Sequence, residues 1–190
     1  TFGFRWFAPE NIGEEATLKL NGRRIMLRSA ISWGYWPVTG LIATPEMAEK
    51  QITTAKQLGL NMLNFHRNIG TPVVLDKADE MGLLYYEEPG SFHSGTHDPF
   101  IRTILREKVF RMIKRDRSHP SLVIYNMINE FGGRLSKDKE LVAKRFEDMR
   151  DAHAIDPSRT ITFTSGWANK KDALEDSKAH FRPFDTKLYM

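Results

Sequence analysis

Cysteine is absent from the 190 residues. Its absence excludes disulfides, thiolate catalysis and cysteine-ligated zinc, and leaves the redox compartment open. No apolar run approaches the ~20 residues that a membrane-spanning helix needs, so no membrane partner is expected. No basic and then apolar leader opens the chain, which starts Thr1-Phe2-Gly3-Phe4-Arg5. Such a start suggests a piece of a longer polypeptide and leaves localisation unread. No glycine-rich phosphate loop follows the first apolar strand, which counts against a nucleotide-binding fold; no cofactor is expected. Strong charge imbalance is lacking too. The net charge is +4, with Lys and Arg spread along the chain. The densest group, Arg111, Lys114, Arg115 and Arg117, has helical spacing and reads as a solvated helix face. Without a recognition motif it points to no nucleic-acid partner.

What is present is the composition of a globular domain, 41% hydrophobic and 27% charged, with a chain long enough for one core. Residues 17–20 and 24–28 flank Asn21-Gly22, the strongest short hairpin signal, because both turn positions need positive φ. After that, strand and helix alternate. An apolar strand near 29–32 runs into the aromatic loop Ser32-Trp33-Gly34-Tyr35-Trp36-Pro37. Thr44 suits an N-cap, Pro45 the first helical position and Gly59 the position past the helix end. A strand at 61–65 follows, then a helix marked by Thr71, Pro72 and Gly82, then a strand at 83–86. Residues 100–117 have apolar positions at the 3.6-residue period. Residues 121–128 read as a strand buried on both faces, 137–154 as a helix and 160–164 as a fifth strand. Past residue 165 no period is visible.

This alternation predicts a parallel α/β sheet. By itself it leaves an open doubly wound sheet and a barrel both standing. In either, functional groups gather where strands end. The first parallel strand ends in Trp33, Tyr35 and Trp36, the second in His66 and Arg67, the third in Glu87 and Glu88. The fourth ends in Asn129 and Glu130, the fifth in Ser165, Gly166 and Trp167. Indoles stack on sugar C–H faces, and carboxylates and amides bond hydroxyls. Acetal hydrolysis needs one carboxylic acid for the leaving oxygen and a second carboxylate to attack or to activate water. Plainer readings stand beside these. Glu130 alone fits a helix N-terminal acid, Asn129 a turn former, and Trp33 or Trp36 a core residue. His93 and His97 are spaced like metal ligands but lack an obvious third, so no metal is expected. His119, before Pro120-Ser121, is read as ordering the strand entrance.

Several segments resemble, in order, the catalytic barrel of family 2 glycoside hydrolases, the group of β-galactosidases, β-glucuronidases and β-mannosidases. They are Phe2-Gly3-Phe4-Arg5, Leu20-Asn21-Gly22-Arg23-Arg24, Leu58-Gly59-Leu60-Asn61, and Ala78-Asp79-Glu80-Met81-Gly82 followed by Glu88. Arg115-Asp116-Arg117-Ser118-His119-Pro120-Ser121 with Asn129-Glu130, then Asp156-Pro157-Ser158-Arg159, complete the set. The resemblance implies a (β/α)8 TIM barrel, here incomplete at about five βα units. Residues 1–28 would form a lead-in segment with the β-hairpin, and 29–190 the barrel strands one to five. It implies a retaining β-glycosidase with Glu130 as general acid/base. Asn129 would bond the sugar 2-hydroxyl, Glu88 would line the pocket floor, and His66, Arg67, Trp33 and Trp167 would contact the carbohydrate. Where the family carries an Arg and then a His around the second strand, this chain has Asn64 and Arg67. The family's nucleophile, a Glu ending the seventh strand, has no counterpart here, so the isolated chain is expected to be inactive. The rest of the barrel and upstream sandwich domains are the expected partners, together with self-association through open sheet edges. A non-catalytic sugar-binding or scaffold protein on the same fold is the alternative.

Overall fold

The computed structural model describes residues 3–11, 17–36, 38–90, 98–131 and 138–165. Three antiparallel strands come first: β1 (Phe7–Glu10), β2 (Thr17–Leu20) and β3 (Arg23–Ile25), in the order β1-β2-β3. The turn between β2 and β3 has φ of 51° at Asn21 and 79° at Gly22, as an Asn-Gly hairpin requires. The hairpin gains a third strand that the sequence pattern conceals. β1 contains Pro9, which has no N–H to give a ladder; an edge strand tolerates this and a central one does not. Asn21 ties β1 on: its Oδ1 accepts from Trp6 N–H at 2.8 Å, and its own N–H donates to Trp6 O at 2.7 Å.

The remainder is a parallel sheet of β4 (Ser29–Ser32), β5 (Met62–Phe65), β6 (Leu84–Glu87), β7 (Leu122–Asn129) and β8 (Thr160–Ser165). Four helices connect them: α1 (Pro45–Gln57), α2 (Pro72–Met81), α3 (Pro99–Asp116) and α4 (Lys139–Ile155). The spatial order β4-β5-β6-β7-β8 equals the chain order. A doubly wound sheet reverses direction at a switch point; this sheet never does, as in a barrel. Every residue of β7 is buried, which explains its unbroken apolar run. Local signals set the helix starts. Thr44 Oγ1 accepts from Met47 N–H at 3.3 Å, and Asp98 and Asp138 cap α3 and α4 in the same way. Thr71 precedes Pro72 but makes no side-chain cap; its carbonyl takes Val74 and Leu75 N–H instead.

Two apolar layers divide the work. Helix residues Ile52, Leu75, Ile113 and Phe146 pack on Phe65, Tyr85, Tyr125 and Ile161 outside the sheet. Phe7, with Leu18, Leu20 and Ile25, packs on Met62, Leu84, Val123 and Ile124. These four sheet residues lie in the first half of their strands, so the small antiparallel sheet covers the N-terminal ends and leaves the C-terminal rim clear.

The motif residues around 115–121 and 156–159 also belong to the N-terminal ends. The buried Arg159 guanidinium donates to Leu122 O (2.8 Å) and His119 O (2.7 Å) and pairs with Asp156. Arg5 adds Nη2 to Leu122 O at 3.0 Å; burial and the Arg159 charge lower its guanidinium to about 10. His119 Nδ1 lies 2.7 Å from Asp79 Oδ2, while Ser121 N–H donates to Asp79 Oδ1 at 2.8 Å. His119 therefore joins α2 to the start of β7. Arg115 lies on the solvated face that its spacing suggested, with 42% of its side chain exposed. From that face it reaches Asp116 and the Gly70 carbonyl, a buried carboxylate and a loop acceptor that need a donor.

Replacing Arg159 with Met leaves Asp156 buried without its cation and should lower the unfolding free energy by about 3–5 kcal/mol, read from urea unfolding. A loss below ~1 kcal/mol would mean the pair behaves like a surface one. The Asp79 hydrogen bond raises the His119 imidazole above its usual 6.5, against burial. Its stabilisation is thus complete below pH 6.5 and fades as pH rises through the raised value. Melting temperatures at pH 6 to 8 should fall with pH in the native chain, and Asp79→Asn should flatten that dependence.

Candidate active site

Parallel strands bring all their C-terminal ends to one rim. Trp33 follows β4, His66 and Arg67 follow β5, Glu88 follows β6, Asn129 ends β7, Glu130 follows it, and Ser165 ends β8. Strand alternation, continued one residue past β6, separates Glu87 from Glu88. Glu87 turns to α3, where Arg115 is 3.6 Å away, and Glu88 turns to the rim residues. Trp167 lies outside the described residues, as do His93 and His97.

Glu88 is the hub. It has no solvent exposure, and a buried carboxylate must be met by donors. Its Oε1 accepts from Ser165 Oγ at 2.7 Å and Asn64 Nδ2 at 3.3 Å, with His66 Nδ1 at 3.6 Å; Oε2 accepts from Arg67 N–H at 2.7 Å. Asn64 thus supplies a neutral donor to this carboxylate. Ser165 Oγ is also 2.9 Å from Asn129 Oδ1 and receives Asn126 Nδ2 at 3.2 Å. A hydroxyl has one proton, and the charge-assisted contact to Glu88 takes it. Asn129 is 1% exposed, and its Nδ2 has no hydrogen-bond partner among the described residues.

Glu130 differs from Glu88 in being accessible, with 24% of its side chain exposed. Its Oε1 is 3.0 Å from Arg67 Nη2. Among the described residues the next helix, α4, begins at Lys139 with Asp138 as its cap. Four non-glycine residues among those described have positive φ. Two are asparagines, which tolerate it. The other two are Arg67 and Glu130, both at 54°, a conformation costing ~1–2 kcal/mol each. Both are held from outside: Arg67 N–H by Glu88, Glu130 N–H by Ser165 O at 2.7 Å, and Phe131 N–H by Thr164 Oγ1 at 2.9 Å. The two strained residues are also ion-paired to each other on the same rim.

Trp33 is 46% exposed and Trp36 only 7%, so Trp36 is the core indole and Trp33 the surface one. The Trp33 ring stands edge-on to His66 at 4.6 Å, with the Arg67 guanidinium 5.7 Å from its centroid. Below the rim, the Tyr86 hydroxyl meets Thr162 Oγ1 at 3.4 Å, and Thr162 donates to Asn126 Oδ1 at 2.9 Å. Burial pushes the Tyr86 phenol up, so it stays protonated at neutral pH. In the sequence Ser165 stands out only as a strand end, and Asn126 and Thr162 do not stand out. Their one signal was a polar residue inside an apolar strand. The described rim therefore holds one accessible carboxylate beside a cation, one sealed carboxylate, an amide with spare donor capacity and an exposed indole.

The profile of glycosyl hydrolases family 2, TIM barrel domain, matches residues 14–182. A β-galactosidase of Lactococcus lactis is 28% identical over 93% of this chain and 19% of its own length. Among solved structures, Bacteroides uniformis β-glucuronidase 3 is 28% identical with a TM-score of 0.71, covering 85% of this chain and 21% of that one. A family 2 member from Bacteroides cellulosilyticus has a TM-score of 0.77 at 22% identity, over 94% of this chain and 23% of that one; it supports the fold alone. The chain spans about a fifth of the length of these relatives. Its sheet, its rim and this match over most of its length agree: the chain belongs to glycosyl hydrolases family 2 and forms part of that family's TIM barrel domain.

Proposed function

We propose that this chain is the acid/base-bearing part of a retaining β-glycosidase, with Glu130 as the general acid/base. The observation that carries this reading is the contrast between the two rim acids. Glu130 is accessible, whereas both oxygens of Glu88 are taken by internal donors. In the first step the Glu130 carboxylic acid protonates the glycosidic oxygen as the C–O bond breaks and a carboxylate attacks the anomeric carbon. In the second, Glu130 takes a proton from water, which displaces that carboxylate. Glu88, sealed by its donors, is poorly suited to the attack, so the nucleophile comes from outside this chain.

The spare N–H of Asn129 supports a bond to the sugar 2-hydroxyl. Trp33, and by resemblance Trp167, serve as sugar platforms, with His66 and Arg67 beside them. The substrate is a β-glycoside. The relatives bear the names β-galactosidase and β-glucuronidase, and a neutral or an acidic sugar remains to be assigned by a panel of aryl glycosides. Residues 1–28 act as a lead-in to the barrel strands of 29–190. The open edge of β4, beside the apolar side chains Ile31, Val38 and Leu58, suits pairing with the rest of the barrel. Sandwich domains and a second copy are further proposed partners.

Glu130→Gln in the full-length parent should lower kcat/KM for unactivated β-glycosides by about 10²–10⁴-fold. The loss should be smaller for aryl glycosides whose leaving group needs no proton. Equal activity of variant and parent on both substrate types would refute the assignment. The 190-residue chain alone should show no turnover of aryl β-glycosides; turnover abolished by Glu130→Gln would show that its chemistry needs no second part.

A further inference from the structure

We propose that Glu87, which faces away from the rim, is a positioning residue: it clamps the loop 66–70 at Gly70 and so sets Arg67 against Glu130. This rests on the reading of Glu130 as the acid/base.

The loop runs from the end of β5 to the cap of α2 and carries His66 and Arg67. Two successive acids, Glu87 ending β6 and Glu88 just past it, hold it from opposite faces of the sheet. On one face Glu88 Oε2 accepts from Arg67 N–H at 2.7 Å, and on the other Glu87 Oε1 accepts from Gly70 N–H at 2.7 Å. Gly70 is needed there: a Cβ would stand 2.4 Å from the Phe65 ring and 3.0 Å from Glu87 Oε1. Arg115 closes the clamp from α3. It donates to Gly70 O, lies 3.6 Å from Glu87 Oε1, and binds Asp116 through Nε at 2.7 Å and Nη2 at 2.6 Å. Loop N–H and loop carbonyl at Gly70 are thus held by one group of three side chains, two buried acids and a partly exposed guanidinium. Between its two pinned ends the chain carries the strained backbone of Arg67, whose guanidinium reaches Glu130 at 3.0 Å.

The group has a charge problem that gives the proposal a distinctive readout. Glu87 and Asp116 have no exposure, and one guanidinium faces two acids. Glu87 Oε2 is buried and meets no donor. A proton on Glu87, shared with Asp116, removes both defects. Burial first and the Asp116 charge second push the Glu87 carboxyl well above the usual carboxylate range. The other groups near this pair are Tyr125 of β7, which feels the Glu87 charge, and His119, which feels Asp116. A raised carboxyl holds its proton in the folded state, so the clamp weakens as pH rises toward that raised value. A glutamine keeps the acceptor for Gly70, supplies an N–H to Asp116 and does not titrate.

The test uses the full-length parent with Glu87→Ala and Glu87→Gln. Hydrogen exchange is followed by mass spectrometry over 66–70, and kcat and KM are measured separately. Glu87→Ala should speed exchange of this peptide about tenfold, the effect of one lost buried hydrogen bond. It should lower kcat about tenfold with KM changed less than about threefold, because an interaction felt in the transition state is lost. Glu87→Gln should restore both. From pH 6 to 9, after correction for intrinsic exchange, the native loop should lose protection and the Gln variant should not. Exchange and kcat unchanged in Glu87→Ala would overturn the proposal. If that variant does not fold, identical pH trends for native and Glu87→Gln proteins would overturn it instead. A normal exchange response in a parent without turnover would refute the acid/base reading of Glu130 while supporting the clamp.

Discussion

A carboxylate removed from water has to be surrounded by donors, and at Glu88 this requirement organises the rim. Its donors come from two segments far apart in the chain: Asn64 and the Arg67 backbone around β5, and Ser165 at the end of β8. Meeting the requirement fixes the loop after β5 in an unfavourable backbone state and brings the Arg67 guanidinium to Glu130. It also draws Ser165 between Glu88 and Asn129, which aligns the ends of β7 and β8. Glu88 shapes the surroundings of the accessible acid while its own oxygens are committed.

The two ends of the sheet solve different problems with similar residues. At the N-terminal end Arg159, Asp156, His119 and Asp79 are bonded mainly to backbone and to each other, and they join strand starts to helix ends. At the C-terminal end the bonds leave side chains facing outward, with Glu130 and Trp33 partly exposed. A motif that is strong as a family signature thus divides physically. Its basic and histidine half is structural, and the Asn129-Glu130 half lies on the rim.

Much of the fold was legible from local signals. The Asn21-Gly22 turn, the caps at Thr44 and Asp98 and the left-handed glycines past α1 and α2 depend on a few neighbouring residues. The five strand ends converge as the strand–helix alternation implied. Less legible were the third antiparallel strand, hidden by Pro9, and the reach of Arg115 from its exposed helix face to Asp116 and the Gly70 carbonyl. Ser165 was visible only as a strand end, because its partner Glu88 is 77 residues away.

The sequence alone determined the order of the parallel strands and helices, the approximate helix limits and the set of chemical groups at the strand ends. These depend on turn chemistry and periodicity, which act over a few residues. Tertiary structure decided which of the adjacent acids Glu87 and Glu88 faces the rim, which indole is buried, and which serine completes the network. Period-two alternation says that neighbours face opposite ways but not which way is inward. That direction is set by what packs on each face, here α3 on one side and the neighbouring strand ends on the other.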